Sequence, residues 1–280
     1  MSLIIQSVDN QRIKAIKKLQ QKKYRDLYKQ FTIEGEKALY EALERNILSN
    51  YYDINEIYIS ESFNFQRISQ QALKNIQIYT VTDNVFSAIS SVKSPQGCLA
   101  IITRKEIELS EIIDGSIVDT LDSSIDNKAF KNNLIIILDA IQDPGNLGTI
   151  VRIADAVGVR AIILGNGCAE AFSDKVVRSA MGSLFHVPII QKDVIDAITI
   201  LKHANYHIMA ADIQGNPYYS IEPCNNIALV MGNEGNGLSE IIRQNVQSYI
   251  SIPMPGQAES LNVAVATAVI AFDLVRLWQI

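Results

Sequence analysis

Along the second half of the chain, apolar runs of strand length alternate with amphipathic stretches. LIIIL (134–138), AIILG (161–165), HVPII (186–190), YHIMAAD (206–212), IALVMG (227–232) and SYISIP (248–253) predict six strands. Helices are expected near 147–157, 174–181, 193–204, 238–245 and 262–277. Continuously apolar strands joined by helices imply a parallel sheet covered on both faces. The first hundred residues repeat the alternation more weakly, with strands at 31–33, 56–60, 76–82 and 97–103 and helices at 34–46, 65–73 and 84–91. Ile13, Ile16, Leu19 and Leu27 recur at near-helical spacing and predict one amphipathic helix over 10–28. The pattern is that of an α/β chain, with a small domain over 1–103 and a parallel-sheet domain over 133–280.

Between the two lies an acidic stretch. Glu106 to Asp126 holds seven carboxylates and no Lys or Arg, so 104–132 reads as a linker or insertion. Across all 280 residues, 48% are hydrophobic and 20% charged, which argues against wholesale disorder. No apolar run reaches the roughly 18 residues of a membrane helix. The N-terminal basic cluster follows a short apolar stretch, so it does not read as a secretory signal. Cys98, Cys168 and Cys224 are widely spaced and form no C-x-x-C, which excludes a disulfide scaffold and a zinc ribbon and fits a reducing cytosol. His203 and His207 stand four apart, but a strand begins between them and no H-E-x-x-H accompanies them. No metal is expected.

Charge changes the picture at one place. The net charge of −5 conceals a segment, Asn10 to Gln30, that carries +7 while the remainder carries −12. Its basic residues are Arg12, Lys14, Lys17, Lys18, Lys22, Lys23, Arg25 and Lys29, opposed only by Asp26. So local an asymmetry signals a polyanionic partner. Tyr24 and Tyr28 beside it suit base stacking, whereas Phe31 suits a core.

The glycines cluster where strands end. In LDAIQDPGNLGTIVRIADAVGV (138–159), a strand, a glycine loop and a helix follow in order. In ALVMGNEGNGLSEII (228–242), an apolar strand runs into Gly232, Glu234, Gly235 and Gly237. In SIPMPGQAESLNVAVATAVIAFDLV (251–275), a strand gives way to a Pro/Gly loop, with Ser260 as the expected cap of the last helix and Asn262 in its first turn. Strand ends are where open α/β sheets bind ligands. The dinucleotide fingerprint G-x-G-x-x-G and the phosphate loop are both absent, which disfavours a nucleotide-dependent oxidoreductase.

Taken together, the three motifs resemble the SpoU, or TrmH-like, family of RNA ribose 2′-O-methyltransferases in the SPOUT superfamily. The resemblance is carried by Asn146-x-Gly148-x-x-x-Arg152, by Gly232-Asn-Glu234-Gly-x-Gly237-Leu238, and by Ile252-Pro-Met-x-Gly256 followed by Ser260-Leu-Asn262-Val-Ala. KVVRSAMGSLFHVPI (175–189) is similar to the family's middle segment, and the N-terminal region resembles its ribosomal-protein-like substrate-binding domain. The resemblance implies a trefoil-knotted domain, S-adenosylmethionine as methyl donor, a cytoplasmic homodimer, and an RNA substrate, rRNA in preference to tRNA. It implies a cofactor held at Met231, Gly232, Asn233, Gly237, Ile252, Met254 and Leu261, and chemistry at Asn146, Arg152, Glu234, Ser260 and Asn262. RNA is expected on Lys14, Lys17, Lys18, Lys22, Lys23 and Arg25. The alternative is an RNA-binding member that has lost catalysis; retained Asn146, Arg152, Glu234 and Asn262 speak against it. Arginine is the family's proposed base, yet a guanidinium that stays protonated cannot accept a proton. Arg152 is therefore expected to hold the phosphate and ribose of the target nucleotide.

Overall fold

A computed structural model of the chain describes residues 4–46, 51–115, 133–222 and 224–278. They form two units: Met1–Glu106 with Phe172–Phe185, and Ile107–Ala171 with His186–Ile280.

The first unit runs α1 (Gln11–Lys18), α2 (Lys22–Tyr28), β1 (Gln30–Glu34), α3 (Glu36–Asn46), β2 (Tyr52–Ser60), β3 (Gln77–Val81), α4 (Asp83–Ile89) and β4 (Cys98–Arg104). The strands order as β1-β4-β2-β3, with only the β2–β3 pair parallel. Ile13, Ile16 and Leu19 pack with Tyr58, Val85, Phe86 and Ile89 in a core.

The helix predicted over 10–28 is two helices. The chain turns at Leu19–Gln21, and the turn resets the phase. Leu27 is then 64% exposed and Arg25 takes the inward position at 5%. Its guanidinium donates to the Leu19 carbonyl at 2.6 Å, satisfying a group that the end of α1 leaves without an intrahelical partner. Burial removes Arg25 from the RNA-facing set. The helix expected at 65–73 is a series of turns. There the Glu36 carboxylate accepts the backbone N–H groups of Gln66, Arg67 and Ile68.

Phe31 is fully buried among Tyr52, Phe172 and Phe185. Phe172 and Phe185 flank α7 (Asp174–Ala180) and a 3₁₀ turn, Met181–Phe185, so a late segment of chain completes an early core.

In the second unit, α5 (Leu109–Ile113) lies inside the stretch expected to be a linker. A reciprocal Glu108–Glu111 capping box starts this helix, and Leu109 and Ile112 are buried in the unit's core. Residues 116–132, with Asp119, Asp122 and Asp126, lie outside the described residues. Beyond them come β5 (Asn133–Leu138), α6 (Pro144–Val157), β6 (Ala161–Leu164), β7 (Ile189–Gln191), α8 (Val194–His203), β8 (His207–Pro217), β9 (Asn226–Met231), α9 (Glu240–Arg243), β10 (Ser248–Ser251) and α10 (Val263–Trp278).

All the strand pairs of this sheet are parallel, in the order β10-β8-β9-β5-β6-β7. From β5 the chain proceeds outward through β6 and β7, then resumes on the other side, which makes β5 and β9 a topological switch point. Their carboxyl ends are flush, Leu138 opposite Met231. β8 runs further than predicted, but its ladder with β10 slips: Tyr249 faces Ala210 while Ile250 faces Asn216. Residues 211–215 leave that ladder. Only glycine fits at Gly215, since a Cβ there would lie 2.5 Å from the Ile250 nitrogen. We predict that Arg25→Ala destabilises the fold by about 1–3 kcal/mol, because the Leu19 carbonyl is left buried without its donor. Urea unfolding checks this; an unchanged midpoint would mean that water replaces the guanidinium freely.

Candidate active site

Three segments that follow β5, β9 and β10 converge at the carboxyl ends of the strands, the first of them through Asn146. With 211–213 they line a cavity of about 620 Å³. Asp143 caps α6 by accepting the Asn146 N–H, and Pro144 starts that helix at a position where no N–H is needed. This fixes Asn146 at the cavity.

The loop after β9 is closed by paired backbone bonds, Asn233 N–H to Gly237 O at 3.0 Å and Gly237 N–H to Asn233 O at 2.9 Å. The Asn233 side chain accepts from Gly235 and Asn236 and donates to the Ala140 carbonyl at 2.7 Å. It shapes the loop and pins it to the one after β5. A Cβ at Gly232 would lie 2.6 Å from the Gly237 carbonyl carbon. The glycine is thus required by the loop's own backbone.

The polar residues form one chain of hydrogen bonds across the three loops. Asn262 donates to Asn146 at 2.9 Å, and Asn146 donates to Glu234 at 3.1 Å. Glu234 also accepts the Gln142 and Asp143 N–H groups, each at 3.3 Å. Desolvation pushes its carboxyl upward, but the Asn146 and backbone hydrogen bonds outweigh it and hold the group below its ordinary value. Glu234 is therefore a fixed anion and a poor proton acceptor. Asn262 is itself the cap of α10, accepting from Ala264 at 2.9 Å and Val265 at 3.3 Å. The expected cap, Ser260, is exposed at the cavity with no hydrogen bond among the described residues. An Asn side chain accepts cap N–H groups through its oxygen and still has its NH₂ to donate, which a Ser cannot match across the same span.

All seven positions expected at the cofactor line the cavity, as do Asn146, Glu234, Ser260 and Asn262. Arg152 does not. It is exposed on α6, with no hydrogen bond or ion pair among the described residues. Of the residues expected at RNA, Lys14 pairs with Asp9 at 2.9 Å, and Lys17, Lys18, Lys22 and Lys23 have no ion pair among the described residues. Asp212 and Arg243 went unnoticed in the sequence. They form a 2.6 Å ion pair on the cavity wall, with the Asp212 side chain 7% exposed. No motif marks either; the strand slip that turns Asp212 inward has no signature in the hydrophobic pattern.

Two family matches divide the chain. The SpoU rRNA Methylase family covers residues 133–272, and the MRM3-like substrate binding domain covers residues 10–100. The chain belongs to the SpoU rRNA methylase family. It is 34% identical to 23S rRNA (guanosine(2553)-2′-O)-methyltransferase RlmP of Bacillus subtilis, over 96% of this chain and 98% of the relative. Among solved structures it resembles an AdoMet-bound rRNA methyltransferase from Sinorhizobium meliloti, with a TM-score of 0.81, 28% identity and 98% of each chain covered. An RNA 2′-O ribose methyltransferase matches with a TM-score of 0.76 and 25% identity, over 99% of this chain and 100% of the other. Family membership makes this chain an RNA methyltransferase on an α/β parallel-sheet fold.

Two outcomes follow from the hydrogen-bond chain. Asn262→Asp keeps an acceptor for the α10 cap but sets a second carboxylate against Asn146, whose single NH₂ cannot face both. Thermal stability should stay near wild type while methyl transfer falls tenfold or more; equal losses in both would mean that the residue acts only as a cap. Because Glu234 titrates below its ordinary value of 4.5, its stabilisation is complete above that pH and lost as pH falls through the folded value. The stability gap between wild type and Glu234→Gln should therefore narrow below about pH 4.5, as followed by acid unfolding.

Proposed function

We propose that the chain methylates a ribose 2′-OH of 23S rRNA, using S-adenosylmethionine. The observation that carries this reading is the Asn262–Asn146–Glu234 chain, which fixes polar groups from all three family motifs at one cavity. The cavity fits the donor: its size is that of small-molecule sites, and Met231, Ile252 and Leu261 offer apolar walls. Asp212, Glu234 and Glu259 face it against the single cation Arg243, a negative balance suited to a sulfonium. When bound, S-adenosylmethionine supplies an electrophilic methyl group and leaves as a neutral thioether. Gly232, Gly237, Ile252, Met254 and Leu261 hold the donor. Asn146 and Asn262, locked in orientation by Glu234, align the reacting ends. Ser260 reaches the ribose hydroxyl from the cavity rim. Arg152, outside its own chain's cavity, takes the RNA phosphate.

The similarity to RlmP and the match over 10–100 favour rRNA over tRNA. A homodimer is part of the reading. Val265 (49% exposed) and Phe272 (53% exposed) stand two turns apart on α10, with half-buried Val269 between them, an apolar stripe suited to a second copy. Trp278, at the end of the same helix, is engaged elsewhere and donates to the Cys224 carbonyl at 2.8 Å. Threading into a trefoil knot is favoured by the chain's return from edge strand β10 to central Asn146. Three free thiols, with no helix among the described residues long and apolar enough to cross a membrane, favour the cytoplasm.

Mapping 2′-O-methylation in 23S rRNA from cells with and without the protein tests the activity. Loss of one ribose methylation is expected, and no change would defeat the proposal. Arg152→Ala should nearly abolish transfer while calorimetry gives unchanged S-adenosylmethionine affinity; lost cofactor affinity would return Arg152 to the cavity. Sedimentation should give a dimer at micromolar concentration, and a monomer would remove the α10 stripe as an interface.

A further inference from the structure

The basic segment is sorted by the fold into two groups. Arg12 pairs with Glu56 and lies over the Tyr79 ring at 4.4 Å. Lys14 pairs with Asp9, Arg25 is buried on the Leu19 carbonyl, and Lys29 pairs with Glu106. Lys17, Lys18, Lys22 and Lys23 make no hydrogen bond or ion pair among the described residues. The acid within the segment, Asp26, is engaged by Arg104 at 3.1 Å. Four ammonium groups with no ion pair among the described residues therefore sit on one pair of short helices.

Among them stands an aromatic pair. The Tyr24 and Tyr28 rings are stacked, with centroids 6.1 Å apart and planes 17° apart. Lys18 and Lys23 hold their ammonium groups 5.6 and 5.8 Å from the Tyr24 centroid, within cation–π range. Tyr28 is 45% exposed and its neighbour Leu27 64%. A large apolar surface in water calls for a partner, and the lysines on the same two helices specify its charge. An apolar protein face would leave these ammonium groups to be desolvated without anions. A nucleotide supplies a phosphate for the lysines and a π-face for Tyr28 at once.

We propose that α2 is a stacking platform for an unpaired base of the RNA substrate, with Tyr28 receiving the base and Lys17, Lys18, Lys22 and Lys23 the flanking phosphates. This rests on the reading of RNA as substrate. An unpaired base is required because duplex bases are already stacked on one another and present no free face. Every base has a π-face, so the platform senses strandedness more than sequence.

Fluorescence anisotropy of the full chain, with one short RNA offered as a single strand and as a duplex over a range of salt, tests the proposal. Tyr28→Ala should weaken the single strand roughly tenfold, leave the duplex unchanged and leave the salt slope unchanged, because no counterion-releasing contact is lost. Tyr28→Phe should bind as wild type. Lys17→Gln with Lys22→Gln should weaken both RNAs and lower the single-strand log–log salt slope by about 0.7 for each lysine. Circular dichroism confirms that each variant is folded. A folded Tyr28→Ala variant that binds the single strand like wild type, or loses single strand and duplex equally, overturns the platform. If Tyr28→Ala weakens single-strand binding as expected while 23S rRNA methylation is the same in cells with and without the protein, the proposed activity is overturned and the platform stands.

Discussion

A carboxylate lying against protein needs N–H donors, and Glu234 finds most of its own on another loop. Two backbone groups of the segment after β5 and the Asn146 amide all point at it. That arrangement is possible because β5 and β9 are neighbours in parallel register and end at the same level. Once the two loops are tied, Asn146 has a fixed oxygen to offer, and Asn262 at the head of α10 docks onto it. The cavity is the space that these three loops leave between them. One of its walls comes from a different device, the slip of β8 against β10, beside which Ala211, Asp212 and Ile213 line it.

Much of this was legible in the sequence, for identifiable reasons. Strands such as 134–138 and 227–232 are apolar on both faces, a pattern that admits few structures other than the centre of a parallel sheet. The glycine loops announced the strand ends, and every position expected to hold the cofactor lines the cavity. What failed depended on phase and on partners distant in sequence. A turn of a few residues after α1 was enough to exchange the environments of Arg25 and Leu27. Residues 65–73 had helical spacing but form turns, tied at Gln66 to Glu36, some thirty residues upstream. Ser260 and Asn262 are both good caps; choosing between them required knowing that Asn146 waits beside the second. Asp212 and Arg243 were invisible because their pairing exists only through a strand slip.

The basic segment shows why net charge by itself says little about binding. Half of its positive residues are occupied in structural work, as ion pairs or as a buried donor, and the electrostatic signal of the sequence overstated the surface available to a polyanion. What remains is smaller and better defined, a set of lysines around stacked tyrosines, and an aromatic component that a charge count does not register.

The placement of Phe172–Phe185 bears on how the molecule comes into being. Phe31 is buried in the first unit, yet two of its ring partners, Phe172 and Phe185, are encoded well past the chain's midpoint. During synthesis the first unit emerges early but lacks part of its interior until residue 185 has left the ribosome. Until then Phe31 and Tyr52 are short of aromatic partners, and the unit is a nascent intermediate with exposed apolar surface. The first unit is therefore completed only after β5 and β6 of the sheet that carries the active site have already been made.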